Sequence, residues 1–219
     1  MIPIATLLGG YRTGYFPMAV DGGVRWFSPG QRGVIPLDRF RATRRLARML
    51  RQRRFRCTAN QAFRDVIVAC ASRADPHGNW INEEILESYC LLHRAGYAHS
   101  VEVWDREQLA GGLYGVSLRG AFFGESMFHR VRDTSKVALC CLVSRLRDRG
   151  YRLLDVQWIT PHLRQFGAVE IPRSRFLTIL GESMQHHCEF DEPSDLVRVP
   201  SRLDGLELQP DSSSTDVPA

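Results

Sequence analysis

Asp155 and Gln157 stand two residues apart in the run LLDVQ, which reads as a β-strand, so alternation sends both side chains to one face. A carboxylate and an amide side by side can orient a nucleophile and handle its proton. Asp155 follows Leu153 and Leu154, and a carboxylate buried in an apolar strand is costly without a partner or a task. The plainer reading is an acid at a strand end bonded to backbone groups, and the residues alone leave both open. Glu125, in FFGESMF, is a third candidate: an active-site acid, or a salt-bridge partner for Lys136, the single lysine of the chain. Other chemistries find little footing. There is no GxxxxGK[ST] phosphate loop, no HExxH and no GxSxG. The cysteines (Cys57, Cys70, Cys90, Cys140, Cys141, Cys188) form no CxxC pair and read as buried free thiols. His186, His187 and Cys188 cluster without a second ligand pair to close a zinc site.

The elements that must position these side chains are clearest in the centre. Strands are expected at 100–104, 109–118 and 121–128, with hairpin turns at Asp105–Gln108 and Arg119–Gly120. A helix over Val137–Arg149 follows, with Asp133 or Thr134 able to cap it and Gly150 able to stop it. Arg152–Trp158 returns as the strand that carries Asp155. Further helices read at Phe63–Ala71, Glu83–Ala95, Pro161–Phe166 and Arg173–Met184. A meander, a helix, a strand and a helix suggest an acyltransferase-like α/β fold. Residues 1–31 hold a short helix at Ala5–Arg12, then a Gly/Pro-rich stretch expected to pack as an irregular segment. Residues 32–199 form the main domain. Beyond Pro200 the chain is polar and Ser-rich, and 200–219 reads as a disordered tail.

The 219 residues, 44% hydrophobic and 24% charged, are enough for one large domain with a real core. The apolar stretches are too short to span a bilayer, and the first residues carry no basic leader, so a cytoplasmic protein is expected. The net charge is +5, and much of it lies between Arg39 and Arg56. On a helix from about Ala42 to Gln52, Leu46, Met49 and Leu50 share one face, while Arg44, Arg45 and Arg48 lie among the arginines outside it. Most charge runs are solvated helix faces; arginine this dense equally suits a phosphate-contacting surface.

One family matches the strings GYFPM (14–18), WFSP (26–29), NWI (79–81), LHRAGYAHSVEVW (92–104), GGLYGV (111–116), FFGESMF (122–128), DTSKVAL (133–139), LDVQ (154–157) and GAVEIPR (167–173) in order. The chain resembles the leucyl/phenylalanyl-tRNA–protein transferases from about residue 6 to residue 180. It departs from them in a shorter lead before the first helix and in Met18, where some members carry tryptophan.

The resemblance implies a GCN5-type N-acetyltransferase-like fold and an activity. Leucine, phenylalanine or methionine would move from tRNA to the N-terminal Arg or Lys of an acceptor protein, marking it for degradation. It also implies roles. Asp155 would polarise the amide of Gln157, whose carbonyl would orient the attacking amine. Glu125 would hold the adenosine or that amine. Trp80 and Tyr89 would lie near the terminal adenosine, and Leu113, Phe122, Leu139 and Leu142 would wall the amino-acid pocket. Such chemistry needs no cofactor, because an aminoacyl ester is already activated; it needs positioning, a deprotonated amine and help for the oxyanion. Asp155, a water or the departing ribose oxygen could take the last proton. The alternatives are a coenzyme-A-dependent N-acetyltransferase, a transferase acting on cell-wall peptides, and a tRNA-binding protein without catalysis. The first is disfavoured because HRVRDTSKVAL lacks a glycine-containing pyrophosphate turn, and the second because the chain is too short for the usual duplication.

Overall fold

The structure, a computed structural model, describes residues 1–73, 80–191 and 208–209. Its first element is α1 (Ile4–Arg12), and the glycine-rich stretch after it is regular rather than irregular. β1 (Phe16–Val20) and β2 (Gly23–Phe27) pair antiparallel, with Pro17 opposite Trp26. The turn between them explains the correction. Asp21 and Gly22 both adopt left-handed φ, 51° and 78°, and a two-residue turn of that hand matches the twist of paired strands.

The chain then runs through β3 (Gln31–Val34), β4 (Ala42–Thr43), α2 (Arg44–Arg51), β5 (Arg56–Ala59), α3 (Phe63–Ala71) and α4 (Glu83–Arg94). The meander follows as β6 (Ala98–Asp105), β7 (Gln108–Leu118) and β8 (Ala121–His129), and then come α5 (Thr134–Asp148), β9 (Leu153–Gln157), α6 (Pro161–Arg164), β10 (Val169–Pro172) and α7 (Arg173–Ser183). The expected tail, 200–219, lies outside the described residues except for β11 (Leu208–Gln209), which pairs parallel to β4. Asn79 of the NWI string also lies outside them. Among the described residues no helix is long and apolar enough to cross a membrane.

Seven strands form one mixed sheet in the order β10-β3-β9-β8-β7-β6-β5. Its faces are covered differently. Alternate residues such as Val101, Leu113, Phe122 and Leu154 pack with α2 and α5 on one side. Their neighbours Tyr114, Val116, Phe123 and Leu153 pack with α1, α3, α4 and α7 on the other. Residues 1–30 therefore share a core with the rest, through Leu7, Tyr11 and Phe16.

Two local readings change at the start of α5. Asp133 occupies the N-cap position with a left-handed φ of 69° and makes no capping hydrogen bond. Thr134 does not cap either, since its hydroxyl donates backwards to the carbonyls of Ala110 and Val131. The six cysteines are free thiols, five of them buried.

The feature that makes room for chemistry is the single parallel contact among the main-sheet pairs, β8 with β9. It extends only from Ala121↔Leu153 to Phe123↔Asp155. Beyond that point β8 stays with β7, while β9 keeps β3 on its other edge through a register shift at Gly33 and Val34.

Candidate active site

A cavity of about 1090 Å³ occupies the ground where β8 and β9 part. Gly124 to Met127 of β8 line one wall, and Leu154, Val156 and Gln157 of β9 line the next. Leu113 of β7 with Leu139 and Leu142 of α5 make an apolar floor, to which Met127 and Leu163 add. Trp80, Phe16, Met18 and Trp158 add aromatic and apolar lining. The structure thus brings together Glu125, Gln157, Trp80, Leu113, Leu139 and Leu142 of the residues expected from sequence.

Phe122 is not among them. It faces α5 while the parallel pair is still zipped, is fully buried, and stacks on Phe190 with ring centres 5.3 Å apart. Tyr89 is fully buried and does not line the cavity either; its hydroxyl meets Glu125, which does.

Asp155 is fully buried and is not among the residues lining the cavity, whereas Gln157 lines it with Leu154 and Val156. Gln157 has a left-handed backbone, φ 56°, which turns the chain at the end of the strand. A side chain at Gly33 would lie 3.1–3.2 Å from the main chain of Trp158 and Ile159, so glycine there lets the turn press against β3.

Asp155 is spoken for. Its Oδ1 accepts from Arg32 Nε at 2.8 Å and from the backbone N–H of Gln157 at 3.0 Å, and its Oδ2 accepts from Arg32 Nη2 at 2.6 Å. Arg32 is itself only 1% exposed, lies between the rings of Phe16 and Phe176, and donates to the carbonyl of Gly14. The bidentate guanidinium and the backbone N–H of Gln157 together hold the Asp155 carboxylate in place at the strand end. Nothing in the local sequence announced Arg32.

Glu125 has no contact with Lys136, which pairs instead with Asp133. Its carboxyl lies 2.7 Å from Tyr11 Oη and 3.2 Å from Tyr89 Oη, and those two hydroxyls also contact each other, so the three groups share their protons in one cluster. Burial pushes its pKa up from 4.5 to about 8; the tyrosine hydroxyls and Arg32 pull the other way, and Asp155 adds to the rise. The site therefore holds an acid poised to exchange a proton near neutral pH. Two further groups wait without partners among the described residues: Gln157 Nε2 and Tyr114 Oη, both buried, on residues that line the cavity. An idle buried donor costs on the order of 1–3 kcal/mol, which a substrate atom would relieve.

The arginines of α2 divide. Arg44 and Arg48 are exposed and make no ion pair with described residues, whereas Arg45 reaches across to Asp133 beside the cavity.

Comparison with known proteins identifies the family. A family model described as leucyl/phenylalanyl-tRNA protein transferase matches residues 34–181, and one for the N-terminal domain of that transferase matches residues 1–30. A leucyl/phenylalanyl-tRNA–protein transferase of Rhodopseudomonas palustris (strain HaA2) is 52% identical over 189 residues, covering 84% of each chain. One from Chlorobaculum parvum is 50% identical over 187 residues, covering 84% of this chain and 96% of the relative. Among solved structures, L-PGS from Bacillus licheniformis superposes with a TM-score of 0.42 and 12% identity, over 67% of this chain and 47% of that one. That likeness is too slight to bear on fold or function. By class, then, the protein is an aminoacyltransferase, an enzyme whose work is to hold an activated acyl group against an amine. The chain belongs to the leucyl/phenylalanyl-tRNA–protein transferase family.

Proposed function

We propose that the enzyme carries leucine, phenylalanine or methionine from tRNA to the N-terminal Arg or Lys of acceptor proteins, which marks them for degradation. The observation that supports this most directly is an apolar cavity with Gln157 and Glu125 in its wall. The leucine-lined floor suits an apolar side chain that is not branched at Cβ, and a purely apolar surface discriminates weakly among such residues. The parallel pair that parts over the cavity is what a GCN5-type acyltransferase fold would use to admit an acyl group.

In this reading the acceptor α-amine attacks the ester carbonyl and forms a C–N bond. The Gln157 amide, held by its anchored backbone, orients the amine or the developing oxyanion. Glu125, once ionised, takes the proton that the amine loses. The C–O bond to the ribose then breaks, and that oxygen recovers a proton, so nothing is oxidised or reduced.

The test is transfer of radiolabelled leucine from leucyl-tRNA to a protein that begins with arginine, with acetyl-coenzyme A and the same acceptor as the control. Gln157→Ala should lower turnover about 10²-fold or more, with little change in aminoacyl-tRNA affinity. A folded Gln157→Ala enzyme with normal turnover removes the residue from the mechanism, and failure of the wild type to transfer removes the function.

We also propose that the outward arginines of α2 meet tRNA phosphates. Arg44→Glu with Arg48→Glu should weaken tRNA binding. The log–log salt dependence should flatten by about 0.7–0.9 per lost phosphate contact. Unchanged affinity and slope in filter binding would leave α2 as a solvated helix face.

A further inference from the structure

Where the cavity opens above α5, three cations converge on one acid. Asp133, whose side chain is 9% exposed, pairs with Lys136 at 3.0 Å and with Arg45, and Arg132 stands 3.9 Å away. Three positive charges against one carboxylate leave a surplus of two. Arg132, Asp133 and Lys136 all line the cavity, as do His129 and His162. The crowding is unfavourable as it stands. Burial, then Arg45 and Arg132, pull the Lys136 ammonium below its ordinary pKa. Burial, then Lys136 and His129, do the same to His162. Asp133 holds these cations in a left-handed backbone conformation and gives up its capping bond to α5. An anion placed among them would relieve the repulsion.

The wall beneath carries a second clue. Ser135, Lys136, Leu139 and Leu142 of α5 all face the cavity, so one helix stripe runs from charge to pure hydrocarbon. Lys136 and Leu142 are separated by about 9 Å along the helix axis. A ligand matched to that wall has an anion and an apolar group a similar distance apart. In an aminoacylated nucleotide the 5′ phosphate and the amino-acid side chain are separated by the ribose and the ester, a span of the same order.

We propose that Lys136, Arg132 and Arg45 form a phosphodiester subsite at the cavity mouth, which holds the phosphate on the 5′ side of the aminoacylated nucleotide. The subsite rests on the reading of aminoacyl-tRNA as the donor, and it is separate from the outward arginines of α2. Its role is to set the depth of the ester, so that the apolar side chain reaches the floor while the carbonyl stays beside Gln157.

Two non-hydrolysable probes test it by calorimetry: 3′-phenylalanylamido-3′-deoxyadenosine with a free 5′ hydroxyl, and the same compound as its 5′ methyl phosphate diester. The wild type should bind the diester roughly 10-fold or more tightly than the hydroxyl form, as expected for charge-assisted hydrogen bonds. Lys136→Gln with Arg132→Gln should abolish that preference and leave affinity for the hydroxyl probe nearly unchanged, which also reports an intact cavity. Equal binding of both probes by the wild type overturns the subsite alone, and so does a preference that survives in the double variant. If neither probe binds the wild type, the donor reading falls and the subsite with it.

Discussion

Asp155→Asn should lower the melting temperature by on the order of 10 °C and leave little transfer activity. The reason is Arg32. Removing one partner of a buried ion pair leaves the other charge uncompensated, at about 3–5 kcal/mol. In a domain of this size each kcal/mol is roughly 2–4 °C. Arg32 has no route to water, being 1% exposed and flanked by Phe16 and Phe176. The rate should fall by about 10²-fold even at a temperature where the variant is folded, because a loosened Gln157 no longer holds its amide in place. Raising the pH toward 9 should not rescue it if Asp155 serves to position its neighbour. A companion variant separates stability from chemistry. Arg32→Met with Asp155→Leu removes both charges and should recover much of the melting temperature, as apolar replacements of buried pairs often do. It should not recover the rate, because the Gln157 N–H still lacks its acceptor. Thermal denaturation and single-turnover transfer read the two quantities independently. Near-normal turnover in folded Asp155→Asn would show that the anchored backbone of Gln157 is dispensable.

Glu125→Gln should move stability the other way. Below pH 4.5 the carboxyl is protonated in both folded and unfolded chains, and its contribution is fully present. As the pH rises from 4.5, the unfolded chain ionises while the folded one, with its pKa near 8, stays neutral, so stability is lost progressively up to about pH 8. At about 1.4 kcal/mol per pH unit the loss reaches a few kcal/mol. Glutamine escapes it. The variant should therefore melt several degrees above wild type at pH 8, and the gap should close toward pH 5. Catalysis should suffer by about 10²-fold, the scale of a positioned proton acceptor. The acceptor α-amine titrates at about 7.7–8.0, so the wild-type rate depends on two ionisations. Its log rate should climb with a slope approaching about two per pH unit near pH 6.5, against about one in Glu125→Gln. Equal slopes would exclude Glu125 as the proton acceptor.

What the sequence shows and hides follows from the range of the interactions involved. The helix over Phe63–Ala71 and both turns of the central meander carry their signals locally, in apolar spacing and turn residues. β3, β5 and β10 have only four residues each and exist because partners arrive from elsewhere in the chain, so no short window reveals them. The site behaves likewise. Glu125 and Gln157 could be named as chemical groups, but their environments could not: Tyr11 lies 114 residues from Glu125, and Arg32 lies 123 from Asp155. Phe122 misled for a different reason. It stands in the same motif as Glu125, yet it precedes the point where the strands part.

The reach of Arg32 also has a bearing on how the molecule comes into being. Its guanidinium gathers the carbonyl of Gly14, the rings of Phe16 and Phe176, and the carboxylate of Asp155. During synthesis the arginine leaves the ribosome long before Asp155 and Phe176 do, and it must stay hydrated until they appear. The strand that presents Gln157 therefore gains its final anchor only after α7 has emerged. Closing so long a loop is a slow, entropically uphill event. A nascent chain that stops short of Phe176 can build the central hairpins, which are local, but not the working cleft.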